Sequence, residues 1–226
     1  MTKIKQTILK YDLDDDLPLY YGHLLRGFFA NRFKDVLFHN HKDNNKYRYA
    51  YPLIQYKIVD GNPLIVGINQ GAELIVKNFF NVNELILGDK KYSNLNGNIT
   101  VEDKEIKVVN NHLKYELYSP WLGLNQRNYQ KYINKIKNSG VEKKNKFFKR
   151  ILIGNILTFA KGIDWHVDKR IEIKSDLKEV DVNFKNEDML AFVGEVYSNV
   201  LLPEYIGLGK SVARGFGTIV TKRIKS

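Results

Sequence analysis

The spacing of apolar residues changes several times along the chain, and each change marks a predicted element. Ile4 to Tyr11 alternates apolar and polar residues as a strand does, whereas Pro18 to Lys34 repeats its apolar residues at helical spacing. Two further strands and a second helix follow, namely Tyr49 to Val59, Leu64 to Asn69 and Ala72 to Phe80. The two strands meet at Asp60-Gly61-Asn62, a typical hairpin turn. With Asn83 to Leu87 as a closing strand, the pattern predicts a β-α-β-β-α-β unit, the ferredoxin-like arrangement.

The second half of the chain predicts a similar unit with more basic helices. Leu113 to Tyr118 is its predicted first strand, and amphipathic helices follow over 127–137 and 145–160. Later strands are predicted at Arg170 to Lys174, Glu179 to Phe184, Met189 to Tyr197 and Thr218 to Ile224. We therefore expect an α+β protein of two tandem ferredoxin-like (RRM-like) domains, an N-terminal one over 1–111 and a C-terminal one over 112–226.

Composition narrows the class of protein. The 226 residues are 43% hydrophobic, which is enough for a buried core, and 36 basic against 25 acidic residues give a formal net charge of +11. Such a balance favours polyanionic partners. The absence of cysteine excludes disulfides and thiolate metal sites. Because Met1 to Tyr11 has no long apolar run, we expect neither a signal peptide nor a membrane anchor, and hence a soluble cytoplasmic protein.

The positive charge is concentrated in two segments. Residues 127–150 hold nine cations against Glu142, and residues 207–226 hold five cations and no acidic residue. A run of lysines is also typical of a solvated helix face, so the first segment alone does not specify a partner. The two segments together predict a continuous RNA-binding track. Its predicted members outside the second segment are Arg26, Lys143, Lys144, Lys146 and Arg150.

The most informative segment runs from Gly207 to Gly217, where four glycines, two cations and a serine occupy eleven residues. Glycine lets backbone N–H groups approach a ligand, so the segment predicts either an anion cradle or a very tight turn without a ligand. It is not a P-loop, because Glu204 stands where that motif needs its first glycine. Val212 likewise replaces the third glycine of a dinucleotide fingerprint. The predicted RNA contacts are Gly207, Gly209, Lys210, Ser211, Arg214, Gly215 and Gly217.

The arrangement G-x-G, five residues, then G-Phe-G near the end of the sequence resembles the glycine-rich signature of the RAMP superfamily of CRISPR-associated proteins. Within that superfamily it is similar to the endonucleases that process CRISPR repeat RNA. The approach from Met189 to Tyr205, with Phe192-Val193-Gly194 and Leu202-Pro203-Glu204, resembles the same family. The resemblance is specific for this C-terminal part and follows only the layout elsewhere. It implies two ferredoxin-like domains and an RNA partner.

Candidate catalytic residues follow the first predicted helix, in the run Phe38-His39-Asn40-His41. Cleavage of RNA by its own 2′-hydroxyl needs a base for that proton and an acid for the 5′-oxygen leaving group. Histidine can serve in either role at neutral pH. The resemblance implies a catalytic histidine just after the first helix, which supports His39 and His41 and not His112 or His166. On a strand-like run, His39 and His41 would face the same side.

Lys34, Tyr47 and Tyr49 have the residue types that support such chemistry, since tyrosine and lysine can orient groups or stabilise charge. Lys46 is a further candidate of the same kind. Two other interpretations of the histidine pair remain open. His-x-His is also a metal-site pattern, although no cysteine is present and only Asp35 and Asp43 lie nearby, and the histidines can instead contact phosphate.

The resemblance implies a metal-independent endoribonuclease without a cofactor. It would bind the repeat of precursor CRISPR RNA and cut one phosphodiester, leaving a 2′,3′-cyclic phosphate and a 5′-hydroxyl. Two alternatives stay open at this point: a non-catalytic RAMP subunit that binds guide RNA in an effector complex, and a general RNA-binding module. The implied partners are repeat RNA and effector-complex subunits, without a membrane, and the family includes both monomers and homodimers.

Overall fold

The computed structural model describes residues 1–39, 50–184 and 187–221. Its helices are α1 (Gly22–Arg32), α2 (Val36–His39), α3 (Gln70–Asn78), α4 (Gln126–Lys131) and α5 (Val141–Gly162). Its strands are β1 (Thr2–Asp12), β2 (Ile54–Val59), β3 (Asn62–Ile68), β4 (Glu84–Leu87), β5 (Lys90–Ser93), β6 (Asn96–Trp121), β7 (Ile173–Phe184), β8 (Glu187–Leu201) and β9 (Ile219–Thr221). Short 3-10 turns cover Leu19–Tyr21, Phe79–Asn81 and Val212–Arg214, and a π-helical turn, Tyr132–Ile136, continues α4. Within these ranges, no helix is long and apolar enough to cross a membrane.

The chain divides into two compact units. The N-terminal unit comprises Thr2–Glu105 and Val212–Gly215, and the C-terminal unit comprises Met1, Ile106–Ser211 and Phe216–Ser226. The division therefore falls within the long strand β6. The glycine-rich segment contributes residues to both units, because its 3-10 turn belongs to the N-terminal one.

The N-terminal unit has the strand order β2-β3-β1-β6, so β1 and β3 are central. Antiparallel pairing places Ile8 of β1 opposite Val66 of β3, and Tyr56 of β2 opposite Ile65. Helix α1 lies between β1 and β2 along the chain, and α3 lies between β3 and β6. Residues 96–105 of β6 supply the fourth strand of a β-α-β-β-α-β unit. The predicted ferredoxin-like arrangement of this unit is confirmed.

The strand predicted over Asn83 to Leu87 is present, but the prediction that it closes the main sheet is wrong. It corresponds to β4, which pairs with β5 in a separate two-stranded sheet. Gly88 forms the turn between them at φ +66°. Leu85 and Leu87 are buried in the hydrophobic core of the N-terminal unit. A short apolar run predicts a buried strand without indicating its partner, and the longer, more polar β6 takes the fourth place in the main sheet.

The C-terminal unit has the strand order β9-β6-β8-β7, with β6 and β8 central. Strand β7 pairs with β8 along its whole length, from Ile173 opposite Ser198 to Phe184 opposite Glu187. The two strands predicted over 170–174 and 179–184 are therefore wrong as separate elements, since a single strand, β7, begins at Ile173 and continues to Phe184, and residues 170–172 precede it. Between them, Asp176 and Lys178 are exposed and Ser175 and Leu177 are half-buried, the alternation of a continuous strand.

An aromatic cluster forms the core between α5 and the sheet of the C-terminal unit. Phe192 of β8 lies at its centre, with ring centroids 4.8 Å from Phe148 and 5.9 Å from Trp121. Tyr132 meets the same ring edge-on at 5.4 Å. Such tilted and edge-on pairs are the favoured aromatic geometries. Helix α5 and the end of β6 are thereby held in a fixed relation.

The glycine-rich segment connects β8 to β9 through a 3-10 turn, and the described residues between these strands form no α-helix. Gly207 pairs with Thr218 in an antiparallel bridge. Leu208 N donates to Gly217 O at 2.8 Å, and Gly217 N donates to Pro120 O at 2.9 Å. Gly217 has φ +61°, and a Cβ there would lie 2.0 Å from Leu208 O. The segment is thus a closely packed turn that only glycine permits at this position.

Lys57 on β2 offers a test of the N-terminal unit by pH. Its side chain is 1% exposed, and burial lowers its pKa from 10.5 to about 7. Between these values the unfolded chain binds more protons than the folded one, so the free energy of unfolding rises with pH from about 7 to about 10. We expect this rise in urea unfolding at successive pH values and its loss in Lys57→Met. The exposed control Lys178→Met keeps the wild-type slope, and equal slopes for all three proteins would contradict the assignment.

Gly217→Ala tests the close packing of the glycine-rich turn. We expect a loss of about 2 kcal/mol or more in unfolding free energy, because a left-handed backbone and a carbonyl contact both oppose a Cβ. Gly27 in the middle of α1 is the matched control, since a Cβ there meets nothing within 4 Å. Gly27→Ala should stabilise the protein by about 0.5–1 kcal/mol through helix propensity. Thermal unfolding of both variants measures the difference, and a neutral Gly217→Ala would refute the described turn.

Candidate functional site

The predicted catalytic residues belong to the part of the N-terminal unit that follows α1. Lys34 lies between α1 and α2 with an exposed side chain, and His39 is the last residue of α2. His41, Tyr47 and Tyr49 lie outside the described residues. Of the candidate catalytic residues, the structure therefore describes Lys34 and the backbone of His39.

Phe38 fixes the backbone next to His39. Its ring is buried, with its centroid 4.9 Å from that of Phe33. Asp35 starts the turn, because its Oδ1 accepts a hydrogen bond from Leu37 N at 2.9 Å. The strand-like backbone expected at His39 is therefore wrong. The chain reaches the buried position of Phe38 through a helical turn, so the alternation of side chains along a strand does not apply there.

Three predicted RNA-binding residues, Arg26, Arg214 and Gly215, belong to the N-terminal unit. The start of α1 contacts the 3-10 turn, since a Cβ on Gly22 would lie 2.8 Å from Arg214 O. Gly215, at φ +95°, lies against the carbonyl oxygen of Tyr56 on the edge strand β2. Burial raises the pKa of Tyr56, and the charge of Arg26 opposes that shift. Helix α1 and the turn thus place two arginines around β2.

Helix α5 has an apolar face and a basic face. Its buried residues are Phe147, Phe148, Ile151, Leu152, Ile156, Phe159 and Ala160. Lys143, Lys146 and Arg150 are exposed at positions i, i+3 and i+7, which share one side of a helix. None of these three cations has an acidic partner among the described residues. They form an unneutralised stripe, as predicted RNA contacts would require.

Other cations of the same basic segment have structural partners. Glu179 on β7 accepts hydrogen bonds from Lys137 Nζ at 2.7 Å and from Tyr132 OH at 2.6 Å. Burial would raise the pKa of Glu179, but these two hydrogen bonds and the charges of Lys137 and Lys144 hold it below its usual value. Lys144, a predicted RNA contact, therefore also interacts electrostatically with the fold. The basic segment contains both structural cations and unneutralised ones.

The beginning of the glycine-rich segment lies across Trp121. Gly209, at φ +92°, passes so close that a Cβ would lie 2.6 Å from Trp121 Nε1. The next residue is held by its backbone, because Lys210 N donates to Leu122 O at 3.0 Å. Trp121 Nε1 itself donates to Asn155 Oδ1 on α5 at 3.0 Å. One tryptophan therefore contacts both the glycine-rich segment and the basic helix.

Arg150 and Lys210, which come from the two basic segments, line the same pocket of about 340 Å³. The pocket lies within the C-terminal unit. Its other lining residues are Gly123, Asn125, Asn128, Ile151, Gly154, Asn155 and Gly209. No acidic residue lines the pocket, so its charge is positive. The structure thus brings together one predicted RNA contact from α5 and two from the glycine-rich segment.

Sequence reasoning missed the three asparagines of this pocket. One signal was available, because an asparagine immediately before a predicted helix is a typical N-cap. Asn125 has that role and accepts a hydrogen bond from Asn128 N at 2.8 Å. Asn155 carries no comparable signal. Its position depends on Trp121, which is 34 residues away along the chain.

Two other histidines have partners in the fold. His23 Nδ1 lies 2.5 Å from Tyr20 O, and His112 Nε2 lies 3.7 Å from a carboxylate oxygen of Glu172. Within the described part of the chain, no group of three or more histidine, aspartate and glutamate residues could hold a metal ion. The positive pocket and the unneutralised stripe on α5 have the charge that an anionic ligand would require.

Comparison with known proteins gives matches along nearly the whole chain. The model of the Cas6b N-terminal domain matches residues 2–105, and that of the Cas6b C-terminal domain matches residues 107–222. A crystal structure of Cas6b is 36% identical, covers 98% of this chain and 100% of its own, and superposes with a TM-score of 0.90. A crystal structure of the CRISPR RNA processing endoribonuclease Cas6b is 32% identical, with coverages of 98% and 100% and a TM-score of 0.77.

More limited similarities agree with these matches. An uncharacterized protein of Methanocaldococcus jannaschii is 34% identical over 143 residues, which are 62% of this chain and 93% of that protein. A Cas6-related structure from Pyrococcus furiosus is 14% identical, with coverages of 99% and 100% and a TM-score of 0.55, and shows a shared fold. The resemblance seen in the glycine-rich segment is confirmed. Since both halves of the family model match in order from residue 2 to residue 222, the chain belongs to the Cas6b family.

Proposed function

We propose that this protein is an endoribonuclease that binds CRISPR repeat RNA and cuts precursor CRISPR RNA. The observation that carries the proposal is the match of both Cas6b domain models over 2–105 and 107–222. A related structure of 32% identity is described as a CRISPR RNA processing endoribonuclease. The positive pocket shared by Arg150 and Lys210 supports an RNA partner, because unneutralised cations bind phosphates by releasing counterions.

The proposed chemistry uses the RNA itself as the nucleophile. A base removes the proton of the 2′-hydroxyl, and the 2′-oxygen attacks the adjacent phosphorus. The bond from phosphorus to the 5′-oxygen breaks, and an acid protonates that oxygen. The products are a 2′,3′-cyclic phosphate and a 5′-hydroxyl, and the reaction requires no metal ion. We assign the two proton-transfer roles to His41 and His39, since histidine can act as base or acid near neutral pH.

The fold supports this assignment at the start of the segment. Phe38 is buried and packs against Phe29 of α1, which fixes the backbone next to His39. Lys34, Tyr47 and Tyr49 are the proposed supporting residues. Lys34 is exposed and free to approach a phosphate, and a cation there would stabilise the charge that develops during attack.

RNA binding is proposed to involve both units. In the C-terminal unit the contacts are Lys143, Lys144, Lys146, Arg150, Gly207, Gly209, Lys210, Ser211 and Gly217, and in the N-terminal unit they are Arg26, Arg214 and Gly215. The first part of the chain, 1–111, would then carry the catalytic segment, and 112–226 the glycine-rich RNA-binding segment. Cations and glycine N–H groups provide phosphate contacts, which position a strand without reading its sequence.

Incubation of the purified protein with repeat RNA in EDTA tests the proposed function. We expect a single cut that persists in EDTA and disappears when one 2′-deoxy nucleotide is placed immediately before the cut. The 2′-deoxy substitution removes the nucleophile and leaves the phosphate contacts unchanged. Binding without any cut would favour a non-catalytic RNA-binding subunit. A cut that requires a divalent metal would contradict the proposed chemistry.

Substitution of the candidate histidines separates catalysis from binding. We expect His41→Ala to lower the single-turnover cleavage rate by about 100-fold or more while RNA affinity changes little, because loss of a general acid or base acts on the transition state. His39→Ala measures the second proposed role in the same assay. His166→Ala is the matched control, since this histidine is exposed and lies far along the chain in the other unit. Equal rates for wild type and His41→Ala would remove His41 from the mechanism.

A further inference from the structure

Hydrogen bonds within the pocket fix the orientation of its three asparagine side chains. Trp121 Nε1 donates to Asn155 Oδ1 at 3.0 Å, and Asn128 N donates to Asn125 Oδ1 at 2.8 Å. Arg150 Nη2 makes a longer hydrogen bond to Asn128 Oδ1 at 3.5 Å. In each case the partner is an N–H group. Of the two polar atoms of a carboxamide, only the oxygen can accept a hydrogen bond from it. Each of the three oxygens therefore already accepts one hydrogen bond from the protein.

The remaining polar atoms of these side chains are NH2 groups. Each carboxamide nitrogen carries two hydrogens and no lone pair for accepting, so Asn125, Asn128 and Asn155 offer donors to the pocket. Lys210 and Arg150 also only donate. Neither cation has a carboxylate partner among the residues that the structure describes. The polar side chains that line the pocket thus present donors and positive charge together.

The shape of the pocket suits a ligand of moderate size. Its volume of about 340 Å³ lies within the range of roughly 300–1,000 Å³ that is usual for small-ligand sites. Gly209 and Gly154 keep two of its walls free of side chains, and a Cβ on Gly154 would meet nothing within 4 Å. Gly154 lies inside α5, where glycine costs about 1 kcal/mol of helix stability relative to alanine. That cost is consistent with a wall that must stay open.

A ligand for such a site must be anionic and rich in hydrogen-bond acceptors. Phosphate oxygens and the carbonyl and ring-nitrogen acceptors of a base meet both conditions. The exposed stripe of Lys143 and Lys146 continues along α5 to Arg150 at the pocket. This continuity favours a polyanionic strand over a small free anion, because a small anion would not use the stripe.

We propose that this pocket is a subsite for one nucleotide of the bound RNA strand, in which Lys210 and Arg150 hold the phosphodiester and the asparagine NH2 groups bind acceptor atoms of the base. The inference rests on the proposed function for its RNA substrate. It adds a positioning role, since a nucleotide held in one place sets the register of the strand. Phosphate contacts orient the RNA, and the base contacts bind its carbonyl or ring-nitrogen acceptors.

Asn125→Asp is the most informative variant. Aspartate is as good an N-cap as asparagine, so α4 keeps its start, whereas the NH2 donor becomes a negatively charged acceptor. We expect RNA affinity to fall by about 10-fold or more, because a hydrogen bond to the base is replaced by repulsion between a carboxylate and the acceptor atoms and phosphates of the RNA. Asn111→Asp makes the same charge change at an exposed residue of the same unit outside the pocket. The RNA affinity of Asn111→Asp should stay near that of wild type at about 150 mM salt, where screening of exposed charges is strong.

Neutral phosphate analogues locate the bound nucleotide. A set of 2′-O-methyl repeat RNAs, each with one methylphosphonate linkage, can bind but cannot be cut by 2′-hydroxyl attack. We expect one linkage whose neutralisation weakens RNA binding by the wild-type protein. The same neutral linkage should hardly weaken RNA binding by Lys210→Ala further, because both changes remove the same contact. Lys210→Ala should also reduce the dependence of binding on salt by about one counterion, whereas the exposed control Lys169→Ala should couple to no single linkage.

The possible results separate this inference from the proposed function. If wild type cuts repeat RNA but Asn125→Asp binds like Asn111→Asp, or no linkage couples to Lys210, the subsite is refuted and the endoribonuclease stands. If nothing is cut but the coupling appears, the subsite stands and the proposed enzyme fails. Binding of free mononucleotides that is lost in Asn125→Asp, with unchanged RNA affinity, would overturn the assignment to a strand. Circular dichroism and thermal unfolding confirm that each variant is folded.

Discussion

The indole of Trp121 is the contact on which the arrangement of the C-terminal unit depends. Its ring packs on Phe192 in the core, its Nε1 donates to Asn155 on α5, and Gly209 passes close to the same Nε1. A side chain at Gly209 would collide with the indole, so the glycine there is required by packing before any ligand is considered. The same contact brings the glycine-rich segment and the basic helix to the walls of one pocket. The glycine that this packing requires therefore also lines the pocket.

Charge in this protein has two uses that net charge does not distinguish. Lys137 neutralises Glu179 and helps to join the helical layer to β7, so it contributes to the fold. Lys146, Arg150 and Lys210 have no acidic partner in the described part of the chain, and they remain available to a polyanion. An overall charge of +11 indicates a polyanionic partner, but only the pattern of ion pairs identifies which cations can bind it.

The two units show the same strand order with different connections. In each, the first and third strands are central, and the long strand β6 serves as last strand of one and first strand of the other. The N-terminal unit has α3 and the hairpin β4-β5 before its last strand, whereas the C-terminal unit has the glycine-rich segment there. Among its described residues, the C-terminal unit therefore has no apolar helix face at the place that α3 occupies in the chain order of the N-terminal unit. Phe216 of the glycine-rich segment is buried against Phe184 in the core of the C-terminal unit.

Periodicity and composition determined much of this protein in advance. Helical spacing predicted α1, α3 and α5, a turn signal predicted the β2-β3 hairpin, and the glycine pattern indicated the family. Tertiary structure decided what depends on residues distant in sequence. It assigned Leu85 and Leu87 to a separate hairpin, since a short apolar run fits any sheet. It also placed the asparagines in the pocket. A carboxamide is oriented by hydrogen bonds from distant groups such as Trp121, and local sequence does not specify these bonds.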